Sequence, residues 1–525
     1  MNRHKMFGAC IVLLVGLLTT DGANILVFLP IPAKSHHSVY RPIVRELATR
    51  GHNVTYFTPF PVDEPSENLK TILLKIPSKA PLKKDDKAKS FLKGAQESNP
   101  VLLTLKTYLM GHMASETMVK LQEVQDLMRS KEKFDLVISA AGYGQQCVST
   151  LGHKFNAPTV QIVPVGDVSF MLDLAGAPDN PAYMMNTHSP FSDRMTFVER
   201  LRNVFYWTFN RLIQYYITLV KQKETMDRYL TYPGWEERPS ILEMTSDAAL
   251  ILMNSHHSIG YSFPKPPHIK EIGGINVLEN KPLPKDIQTF LDSAKDGAIY
   301  FSLGSVVSVS DVTGDDMRKA FSNVFRRMKQ KVLWKWEAED FPDKPPNVLT
   351  SKWFPQQDVL AHGNLKAFIT QGGMMSIYEA VSRGVPLLGI PFFGDQTKNL
   401  KHATTYGYGL LLDYTNITEK SIQWALEELI HNPRYKTEAV RRAKLFHDRP
   451  MRPKDEAAYW IEYVLRHGRV LQPASVRMPL YQLYLLDVLG AIALILTISA
   501  LILKRIVLYL KSSFSDRKLE KKKLE

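Results

Sequence analysis

The segment Asn24–Leu29 (NILVFL) is a continuous apolar run rather than an alternating one. A strand that is apolar on both sides fits a parallel β-sheet covered by helices on both faces. Apolar side chains then recur at helical spacing as far as Gly51, and a second strand is predicted at Val54–Thr58. The three elements form a βαβ unit, in which ligands bind at the carboxyl ends of the strands. The first loop, from Ile31 to His37, is therefore expected at that edge.

The same alternation of strands and helices continues through most of the chain. A proline-rich stretch, Pro264–Pro284, divides it into two series and is predicted to be a linker. Two doubly wound α/β domains facing each other across a cleft are the simplest architecture for this pattern, with predicted bounds at residues 23–275 and 276–485. The other strands are predicted at Asp135–Ser139, Thr159–Pro164, Leu250–Met253, Ala298–Leu303, Val332–Trp336, Val348–Thr350, Ala367–Thr370 and Pro386–Ile390, with helices at Asp315–Gln330 and Met375–Arg383.

A long helical stretch from Phe197 to Leu230 is rich in aromatic residues. Such a stretch is more typical of a pocket wall or a domain core than of a membrane-inserted segment, and membrane contact is the alternative. The aromatic residues are Phe205, Tyr206, Trp207, Phe209, Tyr215 and Tyr216.

Residues 1–22 have the pattern of a secretory signal. A positively charged start precedes the apolar run Phe7–Leu18, which is too short to span a bilayer, and Gly22 fits the small-residue rule for cleavage. The rest of the chain is therefore expected to enter the secretory pathway.

Residues 486–510 are predicted to form one transmembrane helix. The segment Val488–Leu503 is uncharged and almost wholly apolar, and the clustered positive charges lie on its C-terminal side, which predicts a cytosolic tail at residues 511–525. The final residues, Lys522-Lys523-Leu524-Glu525, resemble the dilysine retrieval signal of endoplasmic-reticulum membrane proteins. We expect a single-pass type I protein of that membrane, with the body of the chain in the lumen.

Composition and cysteine usage exclude several classes of protein. The 525 residues are 45% hydrophobic and 22% charged, which excludes a disordered chain, and the net charge of +14 does not call for a nucleic-acid partner. Cys147 is the one cysteine outside the predicted signal, so an internal disulfide and a cysteine-based metal site are excluded. Glycosylation sequons begin at Asn53 and Asn416, and Asn416 is preferred because Asn53 adjoins a predicted strand.

The stretch of residues 353–396 carries the strongest local pattern. A predicted strand ends in Gly372-Gly373 and opens a helix, which leaves backbone N–H groups and a helix dipole to bind a diphosphate. Trp353 offers a flat face for a base, and Asp395-Gln396 offers hydrogen-bonding groups at another strand end. The order of these features is more specific than any one of them.

This stretch closely resembles the signature of the UDP-glycosyltransferases (glycosyltransferase family 1), in particular the membrane-bound animal branch that includes UDP-glucuronosyltransferases. The resemblance also covers Lys34-Ser35-His36, Arg50-Gly51-His52 and Phe301–Ser305. It implies the GT-B fold, in which a Rossmann-like acceptor domain faces a Rossmann-like UDP-sugar domain with return helices. It further implies an inverting reaction without a metal ion, and no cofactor beyond the UDP-sugar co-substrate. Consistent with that, the chain lacks an Asp-x-Asp motif.

The resemblance assigns roles to the matched residues of the donor site. Trp353 is expected to stack on the uracil, Gln356 to bond the base or ribose, and Glu379 to bond the ribose hydroxyls. Asp395 and Gln396 are expected to bond the hydroxyls of the sugar. The residues expected to hold the diphosphate are Ser305, Gly373 and Ser376, together with Gln371, which stands where many members have His and can donate a hydrogen bond without a positive charge.

In the family that the chain resembles, a His after the first strand deprotonates the acceptor hydroxyl, and His36, sixteen residues before His52, is the matching residue here. The near-neutral pKa of histidine suits general-base work. His37 is the second choice and is expected to point away from the cleft. The acidic residue that orients this base in the family falls on Ala140, and Met375 stands where many members have Asn. Three outcomes are left open: a slow enzyme, an enzyme suited to acidic acceptors such as phenols, and a catalytically weakened UDP-sugar-binding homologue.

The sugar is predicted to be glucose. Members that use glucuronic acid generally place an Arg after the strand matched here by Leu250–Met253, whereas this chain continues Asn254-Ser255-His256. UDP-glucuronate is the alternative donor. A nicotinamide-dependent oxidoreductase is disfavoured because the chain contains no complete G-x-G-x-x-G motif. The acceptor is expected to be a small lipophilic alcohol or phenol of the kind met in detoxification, and a homo-oligomer is left open.

Overall fold

The computed structural model describes residues 22–62, 66–76, 99–140, 142–166, 169–177, 179–304 and 314–524. The predicted signal (residues 1–21) and Ser305 lie outside these ranges. One compact unit ends at Pro473, and a second begins at Ala474. The first unit contains two β-sheets in which every strand pairing is parallel. The prediction of an α/β fold with two doubly wound sheets is confirmed.

The first sheet has seven strands in the order β3-β2-β1-β4-β5-β6-β7. The order reverses direction beside β1, which is the kind of switch point where open α/β sheets bind ligands. The strands are β1 (Asn24–Phe28), β2 (Asn53–Thr58), β3 (Leu69–Leu73), β4 (Leu136–Ser139), β5 (Thr159–Val163), β6 (Ala248–Met253) and β7 (Ile269–Glu271). The helices of this part are α1 (Lys34–Thr49), α2 (Pro100–Val119), α3 (Gln122–Arg129), α4 (Thr150–Phe155), α5 (Ser169–Leu174), α6 (Phe197–Ile213), α7 (Leu219–Tyr229) and α8 (Ile241–Ser246).

The second sheet has six strands in the order β10-β9-β8-β11-β12-β13. Buried apolar residues cover both of its faces, as expected for parallel strands. The strands are β8 (Ala298–Ser302), β9 (Lys331–Lys335), β10 (Val348–Ser351), β11 (Leu365–Thr370), β12 (Leu387–Gly389) and β13 (Gly409–Leu411). The helices are α9 (Lys285–Asp292), α10 (Gly314–Arg327), α11 (Gln356–Leu360), α12 (Met374–Ser382), α13 (Gln396–Thr405), α14 (Glu419–His431), α15 (Pro433–His447) and α16 (Pro453–His467).

Three strands were not predicted, and all three lie at sheet edges. They are β3, β7 and β13, which are three to five residues long and mostly half-buried. The hydrophobic signal of an edge strand is weaker because one side of it faces no neighbouring strand. Strand β7 lies inside the stretch Pro264–Pro284, so the prediction of a plain linker there is wrong. The boundary at residues 275 and 276 stays a prediction.

The predicted aromatic helical stretch is continuous. Helix α6 passes through a π-helical turn, Gln214–Thr218, into α7. Short 3₁₀ turns occur elsewhere at Gln146–Ser149, Trp235–Glu237, Tyr414–Asn416 and Ala474–Arg477.

Helix α16 lies late in the chain but packs on the first sheet. Its buried residues Ala457, Ala458, Ile461 and Val464 belong to the same apolar cluster as Ile25 and Val39. Ion pairs flank this contact, with Lys454 Nζ 3.0 Å from Glu46 Oε2 and Arg50 Nη1 3.2 Å from Glu462 Oε2. The chain therefore returns to the first sheet after completing the second.

The second unit consists mainly of α17 (Leu480–Leu483) and α18 (Leu486–Leu524). Within the described residues, Leu486–Ser515 is one helical segment long and apolar enough to cross a membrane. This matches the predicted position of a C-terminal apolar helix. The two sequon residues, Asn53 and Asn416, are both exposed, and glycosylation at either stays a prediction.

Truncating Ile461 should destabilise the first unit. Its side chain is fully buried on α16, so Ile461→Ala leaves a cavity and is expected to lower the free energy of unfolding by about 2–5 kcal/mol. The matched control is Arg466→Ala on the exposed side of the same helix, which should change the free energy by about 0.5 kcal/mol or less. Denaturant unfolding in detergent measures both, and equal effects would show that α16 does not contribute to the core.

Candidate functional site

A cleft of about 1410 Å³ lies between the two sheets. One wall includes one face of α1, from Lys34 to Thr49, which follows β1. The opposite wall comes from the second sheet, at the ends of β8, β9 and β10 and at the start of α12. Parallel strands direct all their carboxyl ends to one edge, so these segments meet. Four of the predicted site residues line the cleft together: Trp353, Gln356, Ser376 and Glu379.

The carboxylate of Glu379 is held by three side-chain amides. Gln356 Nε2 donates to Oε2 at 2.6 Å, while Gln357 Nε2 and Asn276 Nδ2 each donate to Oε1 at 3.2 Å. Burial nevertheless raises the pKa of Glu379 from 4.5 to about 7, since the cost of desolvating the charge exceeds the gain from these donors. The carboxyl group is thus fixed in position and titrates near neutrality.

Both the nitrogen and the oxygen of the Gln356 side-chain amide form hydrogen bonds with other side chains. Besides Glu379, its Nε2 donates to Ser376 Oγ at 3.0 Å, and its Oε1 accepts from the Tyr300 hydroxyl at 3.3 Å. The amide therefore links the start of α11 to α12 and to the middle of β8. Its direct contact with a base or ribose stays a prediction.

Trp353 presents its indole at the rim of the cleft. The residue is 59% exposed, and Lys34 Nζ from the opposite wall lies 4.7 Å from its ring centroid. A flat, exposed aromatic surface beside a cation can stack against a planar heterocycle.

The amino terminus of α12 lies beside the Gln371 side chain and the loop that follows β8. Gly373 is its N-cap and offers no side-chain cap, so the first-turn N–H groups are left to bind an anion. Gly304, at the end of β8, has φ +79°, and a Cβ there would lie 2.5 Å from Gln371 Nε2. The Gln371 side chain is buried, and its Oε1 has no hydrogen-bond partner among the residues described.

Asp395 and Gln396 hold the loop that precedes α13. Asp395 Oδ2 accepts from Asn399 Nδ2 at 2.7 Å, and Gln396 Oε1 accepts the backbone N–H groups of Phe392 and Phe393 at 2.7 and 3.1 Å. In the structure as described, neither residue lines the cleft, nor do Gln371, Gly373 and His36.

His36 lies in the first turn of α1, so the expectation that it sits in a loop is wrong. Its Nδ1 is buried and accepts no hydrogen bond from any described residue. Burial lowers the pKa of His36 from 6.5 to about 4, because the protonated ring would be desolvated. The expected near-neutral pKa is therefore wrong as well, and the ring is neutral at physiological pH.

His37 points away from the cleft, as expected. Its Nδ1 lies 3.0 Å from the Tyr56 hydroxyl, and its ring stacks on Tyr56 with centroids 5.9 Å apart. Its surroundings are those of a residue packed between α1 and β2.

The position expected to orient His36 holds no acid. Ala140 follows β4, which pairs directly with β1, and the residue is 3% exposed. Asp135 lies at the opposite end of β4, where its Oδ2 accepts the backbone N–H of Asn24 at 2.8 Å. It therefore cannot substitute for an acid at position 140.

Several residues of the cleft were not predicted. Asn276 and Gln357 share the carboxylate of Glu379, and Gln357 could have been found from its place beside Gln356. Lys335 is buried and donates to the Gly304 carbonyl oxygen at 2.7 Å and to Glu337 Oε1 at 2.6 Å, which fixes the loop after β8. No local pattern identifies Lys335, because its role depends on the pairing of β8 with β9.

The profile of the family described as "UDP-glucoronosyl and UDP-glucosyl transferase" matches residues 24–522. The chain belongs to this family. It is 36% identical over 483 residues to UDP-glucosyltransferase 2 of Dactylopius coccus, covering 90% of each chain. It is 30% identical over 493 residues to UDP-glucuronosyltransferase 2B17 of Mus musculus, covering 87% of each.

Solved structures of glycosyltransferases share the fold of this UDP-glycosyltransferase family member. The calicheamicin glycosyltransferase CalG4 aligns with a TM-score of 0.53 at 18% identity, covering 85% of this chain and 99% of that one. Glycosyltransferase VinC in complex with dTDP aligns with a TM-score of 0.53 at 16% identity, covering 84% and 98%. The predicted GT-B architecture is thus confirmed.

Stability should depend on pH through Glu379. The pKa of Glu379 is raised from 4.5 to about 7 in the folded protein, so the folded state binds this proton more tightly than the unfolded state. The resulting contribution to the free energy of unfolding is fully present below pH 4.5 and is lost as the pH rises through about 7. Glu379→Gln should therefore reduce the fall in unfolding free energy between about pH 5 and pH 7.5. The control is Glu427→Gln at an exposed site on α14, which should keep the wild-type profile. Identical profiles for all three proteins would show that Glu379 is not the titrating group.

Proposed function

We propose that the protein transfers a hexosyl group, with glucose favoured, from a UDP-sugar to the hydroxyl of a small lipophilic acceptor, inverting the anomeric centre without a metal ion. The proposal depends above all on the cleft, where Trp353, the clamped Glu379 and the start of α12 share one wall and the α1 turn that bears His36 lies across from them. Membership of the family supplies the UDP-sugar as donor class.

The donor half of the cleft divides into three zones. Trp353 provides a stacking surface for uracil, and Glu379 accepts hydrogen bonds from the ribose hydroxyls. The uncapped N-terminus of α12, with Gly373 and Ser376, receives the diphosphate, and Gln371 acts beside it. Ser305 is assigned to the diphosphate from the family resemblance alone. Backbone N–H groups and the helix dipole supply the charge complement that a metal ion supplies elsewhere.

Glucose is favoured because none of the three residues that follow β6 carries a positive charge. Asn254 is fully buried and donates to the Pro164 carbonyl oxygen at 2.8 Å, and Ser255 donates to Glu271. Burial lowers the pKa of His256 to about 3, so that ring is neutral. A glucuronate carboxylate would find no charged partner on these three residues. Asp395 and Gln396 are assigned to the sugar hydroxyls.

In the transfer step, the acceptor oxygen attacks the anomeric carbon as the bond to the UDP oxygen breaks. Attack from the face opposite the leaving group inverts the centre. His36 takes the proton of the hydroxyl, and its neutral ring is in the correct state for that role. A pKa of about 4 makes it a weak base, so acidic acceptors such as phenols should react faster than aliphatic alcohols.

For the cellular setting, we propose a single-pass type I protein of the endoplasmic-reticulum membrane with its catalytic part in the lumen. The candidate span Leu486–Ser515 supports the anchor. The signal pattern of residues 1–22 and the terminal Lys522-Lys523 support entry and retention.

Donor competition tests the proposed activity. Microsomes with the full chain are given UDP-glucose and UDP-glucuronate together with a phenol, and glucoside is the expected main product. His36→Ala should abolish transfer while leaving UDP binding intact, and His37→Ala tests whether a neighbouring histidine has the same effect. A main product of glucuronide would overturn the choice of sugar. Full activity of His36→Ala would overturn the assignment of the base.

A specific observation also favours a second candidate function, that of a UDP-sugar-binding homologue with little catalysis. His36 Nδ1 is unpartnered among the described residues, and Ala140 cannot orient the ring or stabilise its protonated form. In a serine-protease triad, replacing the analogous Asp lowers turnover by about 10⁴.

Restoring an acid separates the two candidates. Ala140→Asp should raise the low pKa of His36 and increase transfer to an aliphatic alcohol about ten-fold or more, equivalent to about 1.4 kcal/mol, with a smaller gain for phenols. Ala140→Asn is the matched control, because it has the same shape without the charge. A gain in both variants would point to ring orientation alone. UDP binding without transfer in any of the proteins would establish the second candidate.

A further inference from the structure

Lys34 is a cation of the cleft whose charge is not paired within the protein. It is the first residue of α1, two positions before His36, and its side chain is exposed at the cleft. Its Nζ lies 4.7 Å from the centroid of the Trp353 ring on the opposite wall. It forms no hydrogen bond or ion pair with any residue that the structure describes. The ring contact therefore leaves its charge for a ligand.

Lys335 and Arg383, two further cations that line the cleft, are bonded within the protein. Lys335 Nζ pairs with Glu337 Oε1 at 2.6 Å. Arg383 Nη2 donates to Asn280 Oδ1 at 2.5 Å. Neither side chain is free to follow a ligand without losing these bonds. Lys34 differs from both, because leaving Trp353 costs it only a cation–π contact.

The start of α12 adjoins the ring that Lys34 contacts. Gln356 follows Trp353 by three residues, and its Nε2 donates to Ser376 Oγ in the first turn of α12 at 3.0 Å. A nucleotide whose base stacks on Trp353 therefore directs its phosphates towards this helix end. The flexible four-carbon side chain of Lys34 allows its ammonium group to follow them.

The helix end alone compensates little of the charge of a diphosphate. A helix N-terminus is equivalent to about half an elementary positive charge. Gln371 and Met375, which lie beside it, are neutral. A diphosphate carries more than one negative charge and gains another when its bond to the sugar breaks. A mobile cation on the opposite wall completes the compensation as the leaving group forms.

The contact between Lys34 and Trp353 has to end when a base stacks on the ring. Both side chains line the cleft, so the ammonium covers the ring face that is turned towards it. A cation–π contact at an exposed site is weak, and a stacked base displaces the ammonium readily. The nearest anion that the ligand then offers to the ammonium is its diphosphate.

We propose that Lys34 binds the diphosphate of the UDP-sugar and stabilises the charge of the departing UDP, an inference that rests on the proposed function. Uracil replaces the ammonium on Trp353, and the ammonium moves to a phosphate oxygen. In the transfer step the bond between the anomeric carbon and the phosphate oxygen breaks, the acceptor oxygen bonds to that carbon, and His36 takes the acceptor proton. Lys34 stays protonated and offsets the negative charge left on UDP.

Calorimetric titration of the full chain in detergent with uridine and with UDP tests the assignment. Lys34→Ala should weaken UDP binding about ten-fold or more, since it removes a hydrogen bond between two charged groups. The same variant should bind uridine about two- to five-fold more tightly, because no ammonium has to leave the ring. Lys34→Arg keeps the charge and should restore the affinity for UDP.

The matched control is Lys352→Ala, which removes the same charge one residue before Trp353. Lys352 is exposed, pairs with Glu339 at 3.3 Å and is not among the described residues that line the cleft. Its affinities for UDP and uridine should stay within about two-fold of the wild type. Turnover at saturating donor should fall about ten-fold or more in Lys34→Ala and be unchanged in Lys352→Ala. Thermal unfolding verifies that each variant is folded.

An equal loss of UDP affinity in Lys34→Ala and Lys352→Ala would overturn the proposal, since a general field would then explain both. Equal losses of uridine and UDP affinity in Lys34→Ala would also overturn it, because Lys34 would then only position Trp353. Unchanged UDP affinity in Lys34→Ala would have the same consequence. A wild-type protein that binds no UDP would instead overturn the proposed function, and this inference with it.

Discussion

Every strand pairing in the two sheets is parallel, and the position of the cleft follows from this constraint. Parallel ladders require a crossover after each strand, so all the carboxyl ends of a sheet meet at one edge. The ends of β8, β9 and β10 bring Gly304, Lys335 and Trp353 into one wall, although they are far apart in the chain. The first sheet contributes the start of α1 by the same rule. The strand topology therefore determines which residues meet in the cleft, and side-chain chemistry acts within that arrangement.

Within that frame, polar side chains bond one another and so preorganise the cleft. The amides of Gln356, Gln357 and Asn276 converge on Glu379, and Lys335 holds the carbonyl oxygen of Gly304. These bonds link neighbouring segments of the cleft wall and hold their side chains in place, so binding then costs less ordering entropy. The same enclosure raises the pKa of Glu379 and lowers that of His36. Burial therefore sets both the geometry and the protonation states.

How far the sequence predicts this protein depends on the range of the interactions. Buried central strands such as β1 and β11 were predicted because they are mostly apolar. The turn before α12 was predicted because Gly372-Gly373 indicates it. The edge strands β3, β7 and β13 were not, because they are short and mostly half-buried. The start of α1 was not predicted either, because Ala33 makes no capping bond that would identify it. The engagement of Gln356 and the low pKa of His36 depend on neighbours distant in sequence. No short stretch of the sequence identifies those neighbours.

Helix α16 has a consequence for how the protein folds as it is synthesised. The strands of the first sheet are complete once β7 has been made, yet the apolar face beneath Ile25 and Val39 is closed by Ala457, Ala458 and Ile461. Domains normally fold as units in the order of synthesis, N-terminal first. Here the entire second sheet must emerge before the first core can be sealed. The nascent chain thus carries an open hydrophobic surface through much of its translation, until its last globular helix arrives.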